Sequence, residues 1–261
     1  IDGQVVNFDR ETFNFSIDEE GSNDAEWDQF SARADLDVGF GNGTITNIFG
    51  YRSYTQFGRS DIDASPGYFF HANFATDQEQ FSNEIRYNGR FLDDRLDFTT
   101  GLFYFTQDLF YGEQRDLLGI ATGGVRPALT QDGGGFQDSE TFGVFAAGEY
   151  DVTDKFSVNA GIRYSDERKD VQIASLVANV NSPCIVVPGD TRSSRECDFD
   201  FNDTFETSNW SPKVGFGYEV NEDFRVYGHW SRSFRAGGYN FRNTAADTVN
   251  FGPGPFQDEQ I

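Results

Sequence analysis

The sequence is poor in several residue types that would point to particular classes of protein. It has no methionine, two cysteines and two histidines in 261 residues. It also has no run of about 18 consecutive apolar residues, which excludes a transmembrane helix. Lysine and arginine number 20 against 43 aspartates and glutamates, giving a formal net charge of −23. Because this acidic surplus repels phosphates, no nucleic-acid partner is expected.

The two cysteines, Cys184 and Cys197, lie within one candidate loop. A close pair in a chain otherwise free of cysteine predicts a disulfide formed in an oxidising compartment. Metal ligation would need further ligands, and His71 and His229 are distant from the pair in sequence. We therefore expect no metal site and no cofactor.

A weaker metal signal follows the second cysteine. Asp198, Asp200 and Asn202 repeat oxygen ligands at every second position, as the start of a calcium-binding loop does. Asp203 stands where such a loop needs glycine, and Asn209 stands where it needs glutamate. A solvated acidic segment is the favoured interpretation.

Catalytic patterns are sparse. A serine-histidine-aspartate site needs a histidine beside a nucleophile, and His229 lies within a candidate strand with no other feature to support catalysis. No helix is predicted, so no glycine-rich phosphate loop leads from a strand into one. The sequence does not predict an enzyme.

Aromatic residues and glycine are abundant, with 29 Phe, 11 Tyr and 28 Gly. Aromatic residues favour strands and membrane interfaces, whereas glycine suits turns. One clear strand lies within residues 209–220, where apolar and small or polar residues alternate. One parity carries Trp210, Val214, Phe216, Tyr218 and Val220, and the other carries Ser211, Lys213, Gly215, Gly217 and Glu219. A soluble sandwich and an outer-membrane barrel both use such strands.

The order of the connections distinguishes the two folds. Further strands are predicted at residues 26–38, 44–57, 77–91, 96–110, 138–150, 156–164 and 224–234, with an irregular one within 4–17. Short turns at 39–43, 92–95, 151–155 and 221–223 alternate with long loops at 58–76, 111–137, 170–206 and from 237 onward. Transmembrane β-barrels place short turns on the periplasmic rim and long loops on the extracellular rim. We therefore predict an all-β, antiparallel transmembrane β-barrel.

Several strands carry motifs that resemble those of TonB-dependent outer-membrane receptors. The motifs are SNEIR at 82–86, GLFYF at 101–105, AGIRY at 160–164, SPKVGFGY at 211–218, and the stretch 226–240 ending in SRSFRAGGYN. This family has a barrel of about 22 strands, together with an N-terminal plug domain and an energy-coupling box. The chain begins at Ile1 and shows neither of these. We therefore expect residues 1–261 to be part of the barrel domain, with the plug domain and coupling box absent.

The resemblance implies ligand-gated active transport across the bacterial outer membrane, energised by the inner-membrane partner TonB through the missing N-terminal region. Ferric siderophores are the commonest ligand class of the family, and outer-membrane lipid is the expected surrounding. A passive porin-like channel shares the barrel but has no plug. A surface β adhesin would instead pack its apolar faces against each other.

Two groups of residues are candidates for ligand contact. The run Tyr68-Phe69-Phe70-His71 could form an aromatic platform in an outer loop, or could serve loop packing or an interfacial girdle. Arg232, Arg235 and Tyr239 could meet an anionic siderophore at the rim. Alternatively, the two arginines line the lumen in ion pairs.

Overall fold

Eight antiparallel strands form one sheet in chain order. The computed structural model describes residues 11, 17–119, 129–178, 201–244 and 251–261. The sheet consists of β1 (Ser22–Val38), β2 (Gly43–Asp61), β3 (Phe70–Phe91), β4 (Leu96–Leu117), β5 (Leu129–Thr153), β6 (Phe156–Ala178), β7 (Phe201–Asn221) and β8 (Phe224–Ser231). This confirms the predicted all-β, antiparallel class and the eight strands expected from residue 26 onward. The irregular strand within 4–17 lies outside the described residues, apart from Glu11 and Ile17.

Beyond the sheet, short elements complete the fold. A 3-10 turn, Phe40–Asn42, connects β1 to β2, and the two-residue strands β9 (Phe234–Arg235) and β10 (Glu259–Gln260) pair with each other. Among the described residues, no helix has the length and apolar character needed to cross a bilayer.

The strand register aligns apolar side chains into continuous rows across the sheet. Ile85 pairs with Leu102, Leu102 with Val144, Val144 with Tyr164, and Tyr164 with Trp210. Directly paired residues share a face, so these five side chains lie together on what we call the apolar face. All but Tyr164 are among the exposed large hydrophobic residues, Leu102 at 48% and Trp210 at 58%. The apolar face therefore points outward, which is the arrangement that a barrel in lipid requires.

The opposite, polar face carries the other parity. Its corresponding row runs from Glu84 through Phe103, Gly143 and Ser165 to Asn209. Phe103 confirms that some aromatic side chains of β4 point inward, as the weak alternation there predicted. The guanidinium of Arg163 lies over the Phe103 ring, 5.3 Å from its centroid. A cation over a ring face satisfies both groups.

Aromatic residues form two bands on the apolar face. One band contains ring contacts among Phe40, Tyr87, Phe91 and Phe98 and between Phe156 and Tyr218. The other contains contacts among Phe30, Phe49, Phe81 and Tyr104 and between Tyr164 and Trp210. On β6 the bands are represented by Phe156 and Tyr164, which are about 26 Å apart along a strand at ~3.3 Å per residue. A strand tilt of about 35–45° reduces this to roughly 20 Å of height, close to the ~25 Å apolar band of outer-membrane barrels.

The connections lie on two contrasting rims. Short connections at 39–42, 92–95, 154–155 and 222–223 join successive strands on what we call the short-turn rim. The opposite rim, which we call the long-loop rim, is joined by the connections at 62–69, 118–128 and 179–200. The chain from residue 232 leads toward this rim. The predicted alternation of short turns and long loops is confirmed.

The predicted loop bounds were wrong, because the strands extend farther. The ladder between β2 and β3 continues to Asp61 and His71, and that between β3 and β4 begins at Phe70 and Leu117. The predicted loops at 58–76, 111–137 and 170–206 shorten accordingly to 62–69, 118–128 and 179–200. These extensions lie beyond the aromatic band that contains Phe81 and Tyr164. Both faces can be polar there, so the period-two signal fades.

The glycine run 133–135 illustrates the same error. The sequence predicts a loop there, yet the run lies within β5 at a register shift between Asp132 and Gly134. Gly134 has φ +136°, and a Cβ there would lie 2.1 Å from the carbonyl oxygen of Tyr111. A close approach of two backbones, rather than a turn, requires glycine here.

The chain after β8 folds back onto the polar face. Strand β8 ends at Ser231 instead of the predicted Phe234. Residues 232–244 and 251–261, which we call the tail, form two short antiparallel bridges, β9–β10 and Gly238–Phe256. The tail covers a small hydrophobic core of Val171, Ile173, Phe205 and Tyr239, flanked by Phe201 and Phe241. The tail thus occupies the half of the polar face nearest the long-loop rim.

Candidate functional site

The tail is held to the polar face by a line of hydrogen bonds. Lys169 Nζ donates to the carbonyl oxygen of Gly237 at 2.6 Å, and the Gly237 N–H donates to Asp258 Oδ1 at 2.9 Å. The other carboxylate oxygen of Asp258 accepts from Asn209 Nδ2 at 2.9 Å and from the Thr207 hydroxyl. Both Thr207 and Asn209 have the polar-face parity of β7. The tail is therefore docked by polar contacts as well as by apolar packing.

Tyr239 anchors the middle of the tail. Its side chain is buried, its ring meets Phe201 edge-on at 6.0 Å, and its hydroxyl donates to Asp203 Oδ2 at 3.0 Å. Burial raises the pKa of Tyr239, and the neighbouring Asp203 carboxylate raises it further. The hydroxyl consequently remains a protonated hydrogen-bond donor.

A buried glutamate on β4, Glu113, binds Arg242 of the tail. Glu113 accepts hydrogen bonds from Arg242 Nε at 2.7 Å, from Arg115 Nε at 2.6 Å and from the Tyr111 hydroxyl at 2.7 Å. Its side chain is only 3% exposed. Gly133, the register partner of Glu113 on β5, has no side chain to stand between Glu113 and the tail. We call Tyr111, Glu113, Arg115 and Arg242 the glutamate cluster.

Sequence reasoning missed the glutamate cluster. Tyr111, Glu113 and Arg115 are spaced by two, which is the signature of one strand face and could have extended β4 past Phe110. No comparable signal pairs Glu113 with Arg242, which lies 129 residues farther along the chain.

The loop between β2 and β3 is organised by two aspartates. Asp61 Oδ1 accepts from the N–H groups of Asp63 and Ala64 at 3.1 and 3.0 Å. Asp63 in turn accepts from the N–H of Phe70 at 2.7 Å and from the Ser65 hydroxyl. Burial alone would raise the pKa of Asp63, but these hydrogen bonds outweigh burial and lower it. The loop therefore has a defined conformation.

The predicted aromatic platform lies at this loop. The Tyr68 ring stacks on the His71 ring at 4.1 Å and an interplanar angle of 15°. Burial raises the pKa of Tyr68 to about 12, with a further contribution from Asp116, to which it is hydrogen-bonded. Phe69 remains 38% exposed and is the open aromatic surface of the loop. His71 lies on β3 and is buried, so it is not a free loop residue.

The six residues predicted to bind ligand do not form one site. Tyr68, Phe69 and His71 lie together at the long-loop rim, and His71 pairs with Asp61 on the parity of the apolar face. Arg232, Arg235 and Tyr239 are in the tail. The Arg232 N–H donates to the carbonyl oxygen of Pro212 at the end of the β7–β8 ladder, whereas Tyr239 packs on the polar face. Both arginines are exposed, and neither forms an ion pair within the described part of the chain.

The other predicted positions are only partly visible. Cys184 and Cys197 lie outside the described residues, as do Asp198 and Asp200 of the calcium-like spacing. Asn202, the third residue of that spacing, lies in β7 rather than in a loop.

Taken together, an outward apolar face with two aromatic bands, a polar inner face and two unequal rims define an outer-membrane β-barrel protein. The sequence model of the family described as "TonB dependent receptor-like, beta-barrel" matches residues 2–259. The chain belongs to this family. Its members are outer-membrane receptors and transporters, not enzymes.

Solved structures agree on the fold. The ferric yersiniabactin uptake receptor FyuA from Yersinia pestis is 17% identical with a TM-score of 0.65, covering 92% of this chain and 32% of FyuA. The ferric-catecholate import receptor Fiu from E. coli K12, in its closed form, is 14% identical with a TM-score of 0.62, covering 95% of this chain and 38% of Fiu. The siderophore receptor PiuA from Acinetobacter baumannii is 14% identical with a TM-score of 0.58, covering 89% of this chain and 34% of PiuA.

These coverages show that the chain spans about a third of the length of each of these receptors. Among curated proteins, no match to the chain is found.

Proposed function

We propose that the chain is part of a ligand-gated active transporter that takes up ferric siderophores across the bacterial outer membrane and is energised through TonB. The observation that carries this proposal is the family match over residues 2–259. The similar structures are receptors for ferric yersiniabactin, for ferric catecholates and for siderophores. The outward apolar face supports an outer-membrane location with lipid as its surrounding.

The exposed cations of the tail are the proposed ligand contacts. Arg232 and Arg235 are exposed and unpaired among the described residues, so their guanidinium groups are available to an anionic ligand. Tyr239 supports them by anchoring the tail. At the long-loop rim, Phe69 and the open side of Tyr68 offer an apolar surface to flat ligand groups, with His71 beneath Tyr68.

Transport by the intact receptor that contains this chain provides the test. Cells expressing it are supplied with radioactive iron bound to hydroxamate, catecholate or mixed-ligand siderophores, with and without a protonophore. We expect saturable uptake of one class that stops when the proton-motive force is dissipated. Uptake that is unsaturable and insensitive to the protonophore would instead identify the porin-like channel.

The contribution of the tail is testable with a matched pair of substitutions. Arg235→Gln should weaken binding of the transported siderophore by about 10-fold or more, the equivalent of one charge-assisted hydrogen bond. Arg225→Gln is the control, because Arg225 is also exposed but lies beside the short-turn rim on β8. Equal affinity for both variants would remove Arg235 from the site.

We also propose that Cys184 and Cys197 form a disulfide. Two cysteines in a receptor that folds outside the reducing cytoplasm are expected to be oxidised. Mass spectrometry of the non-reduced protein should find a peptide linked through both residues. Two alkylatable thiols in the unreduced protein would contradict the bridge.

A further inference from the structure

At the long-loop rim, the segment before β1 brings acidic groups to the histidine of β3. Asp18, Asp61 and His71 form the one group of potential metal ligands within the described residues, and their ligand atoms lie within 4.8 Å of one another. His71 is 5% exposed, whereas Ile62 and Phe69 of the adjoining loop are 48% and 38% exposed. The three residues come from three separate segments, so only folding brings them together.

Both nitrogens of the His71 ring face carboxylates. Nε2 lies 2.9 Å from Asp18 Oδ1, and Nδ1 lies 2.9 Å from Glu19 Oε2. A neutral imidazole has one N–H and can donate to only one of the two. The other nitrogen then directs a lone pair at a carboxylate, and a positive charge between them removes that conflict.

The surrounding charges distinguish the two sides of the ring. Glu19 is paired with Arg59 through its other oxygen, so the Nδ1 side is electrically balanced. On the Nε2 side, Asp18 and Asp61 meet no lysine or arginine among the described ion pairs. The Asp18 N–H donates to Asp61 Oδ2 at 3.4 Å, which brings the two carboxylates to the same side of the ring. The unbalanced negative charge is thus concentrated where Nε2 points.

We propose that His71 Nε2, Asp18 and Asp61 bind a divalent transition-metal cation of the Zn²⁺ type. Imidazole nitrogen with carboxylate oxygen is a donor set that suits such cations. Glu19 accepts the Nδ1–H and orients the ring, as carboxylates do behind metal-bound histidines. Stacking of Tyr68 on His71 restrains the ring plane.

The spacing of the donor atoms fits this assignment. Ligand atoms around a tetrahedral zinc are roughly 3.3 Å apart, given Zn–N and Zn–O distances of about 2.0–2.1 Å. The observed separations, from 2.9 Å to within 4.8 Å, bracket that value, and small rotations of the exposed Asp18 side chain bring the set to it. A water molecule would complete a four-coordinate site. The cation would tie the segment before β1 to the end of β2 and the start of β3. This assignment revises the expectation of no metal site, and it does not depend on the proposed transport function.

The test uses the intact receptor in detergent, with zinc chloride as the probe. Equilibrium dialysis at neutral pH measures bound zinc for the native protein and for His71→Gln, with His229→Gln as the matched control at the other histidine. We expect His71→Gln to bind one zinc fewer per chain than both the native protein and the control. Equal stoichiometry in all three proteins overturns the proposal and leaves His71 as a histidine paired with two carboxylates.

Two further measurements keep the proposal testable should His71→Gln fail to fold. Glu19→Gln should keep the stoichiometry and weaken zinc binding by about 10- to 100-fold, as loss of a supporting carboxylate does. In the native protein, zinc but not magnesium should slow hydrogen exchange of the amides of residues 18–21 and 62–68. Exchange in these segments that does not respond to zinc counts against the site without any variant.

Discussion

Individual side chains decide how firmly the tail is held in place. Glu113 is the most demanding of them, because its carboxylate is almost fully buried and depends on three donors, Arg115, Arg242 and Tyr111. Arg242 itself is 61% exposed, so water can replace part of what it loses when the pair breaks. Glu113 is therefore the more sensitive partner.

Glu113→Gln should loosen the tail. The substitution removes the charge that Arg242 binds, and a hydrogen bond to a charged group contributes about 1.5–3 kcal/mol. This corresponds to exchange of the amides of residues 237–242 that is about 10- to 150-fold faster, measured by hydrogen exchange. Glu149→Gln is the control, because Glu149 lies on β5 on the same face of the sheet as Glu113 but is exposed. Similar exchange in the two variants would mean that Glu113 does not hold the tail.

Asp258 should make docking of the tail dependent on pH. Burial alone would raise its pKa, but hydrogen bonds from Thr207, Gly237 and Asn209 outweigh burial and lower it. The docked carboxylate thus has a pKa below the ordinary value of about 3.9. Its stabilisation of docking is present above that ordinary value and is lost as the pH falls through the lowered one.

The measurement compares Asp258→Asn with the native protein at each pH. The ratio of their exchange rates at Gly237 and Gly238 cancels the intrinsic effect of pH on exchange. We expect a ratio well above one at pH values above the ordinary aspartate pKa of about 3.9, and a ratio that falls toward one as the pH drops below it. A ratio that does not change with pH would show that the Asp258 charge is irrelevant to docking.

Among the elements, β5 shows where backbone geometry restricts the sequence most. Gly134→Ala should destabilise the protein by about 1–3 kcal/mol from the disfavoured backbone conformation alone. The close approach to Tyr111 adds to that cost. Gly148→Ala in the same strand should change stability by less than about 0.5 kcal/mol, since its Cβ would meet Leu96 at an ordinary 3.4 Å. Urea unfolding of the intact receptor in detergent checks both values, and equal midpoints would contradict the strain at Gly134.

The same strands show which parts of the fold are predictable from sequence. Residues 156–164 alternate cleanly because one face is apolar and the other is small or polar, so the sequence predicts this part of β6. The sequence does not predict the continuation of β6 to Ala178, because beyond Tyr164 the two faces no longer differ in polarity. At the site, spacing by two could have placed Glu113 and Arg115 on one face. Their partner Arg242 could not be found, because it reaches them only through the path of the tail.

At the scale of the whole molecule, the two rims determine what the protein can do. The long-loop rim carries Phe69 and the proposed metal site around His71, and the tail lies toward this rim. The short-turn rim carries compact connections close to an aromatic band. Under the proposed function, the first rim faces the medium and captures ligand, and the second rim faces the periplasm.

This orientation predicts an asymmetric labelling pattern. Ile62→Cys and Asp154→Cys each place one thiol at an exposed position, the first beside the β2–β3 loop and the second in the turn between β5 and β6. Both are made with Cys184→Ser and Cys197→Ser, so that no other thiol of this chain reacts. A membrane-impermeant maleimide added to intact cells should label Ile62→Cys, because its rim faces the medium.

Asp154→Cys should react only after the outer membrane is permeabilised, and that second treatment also serves as the control for thiol reactivity. Labelling of Asp154→Cys but not Ile62→Cys in intact cells would mean that the sheet is inverted. The ligand contacts assigned to the tail and to Phe69 would then face the periplasm, where no external siderophore arrives. Labelling of both thiols in intact cells would show that no membrane separates the two rims. The assignment of the apolar face to lipid would then be wrong.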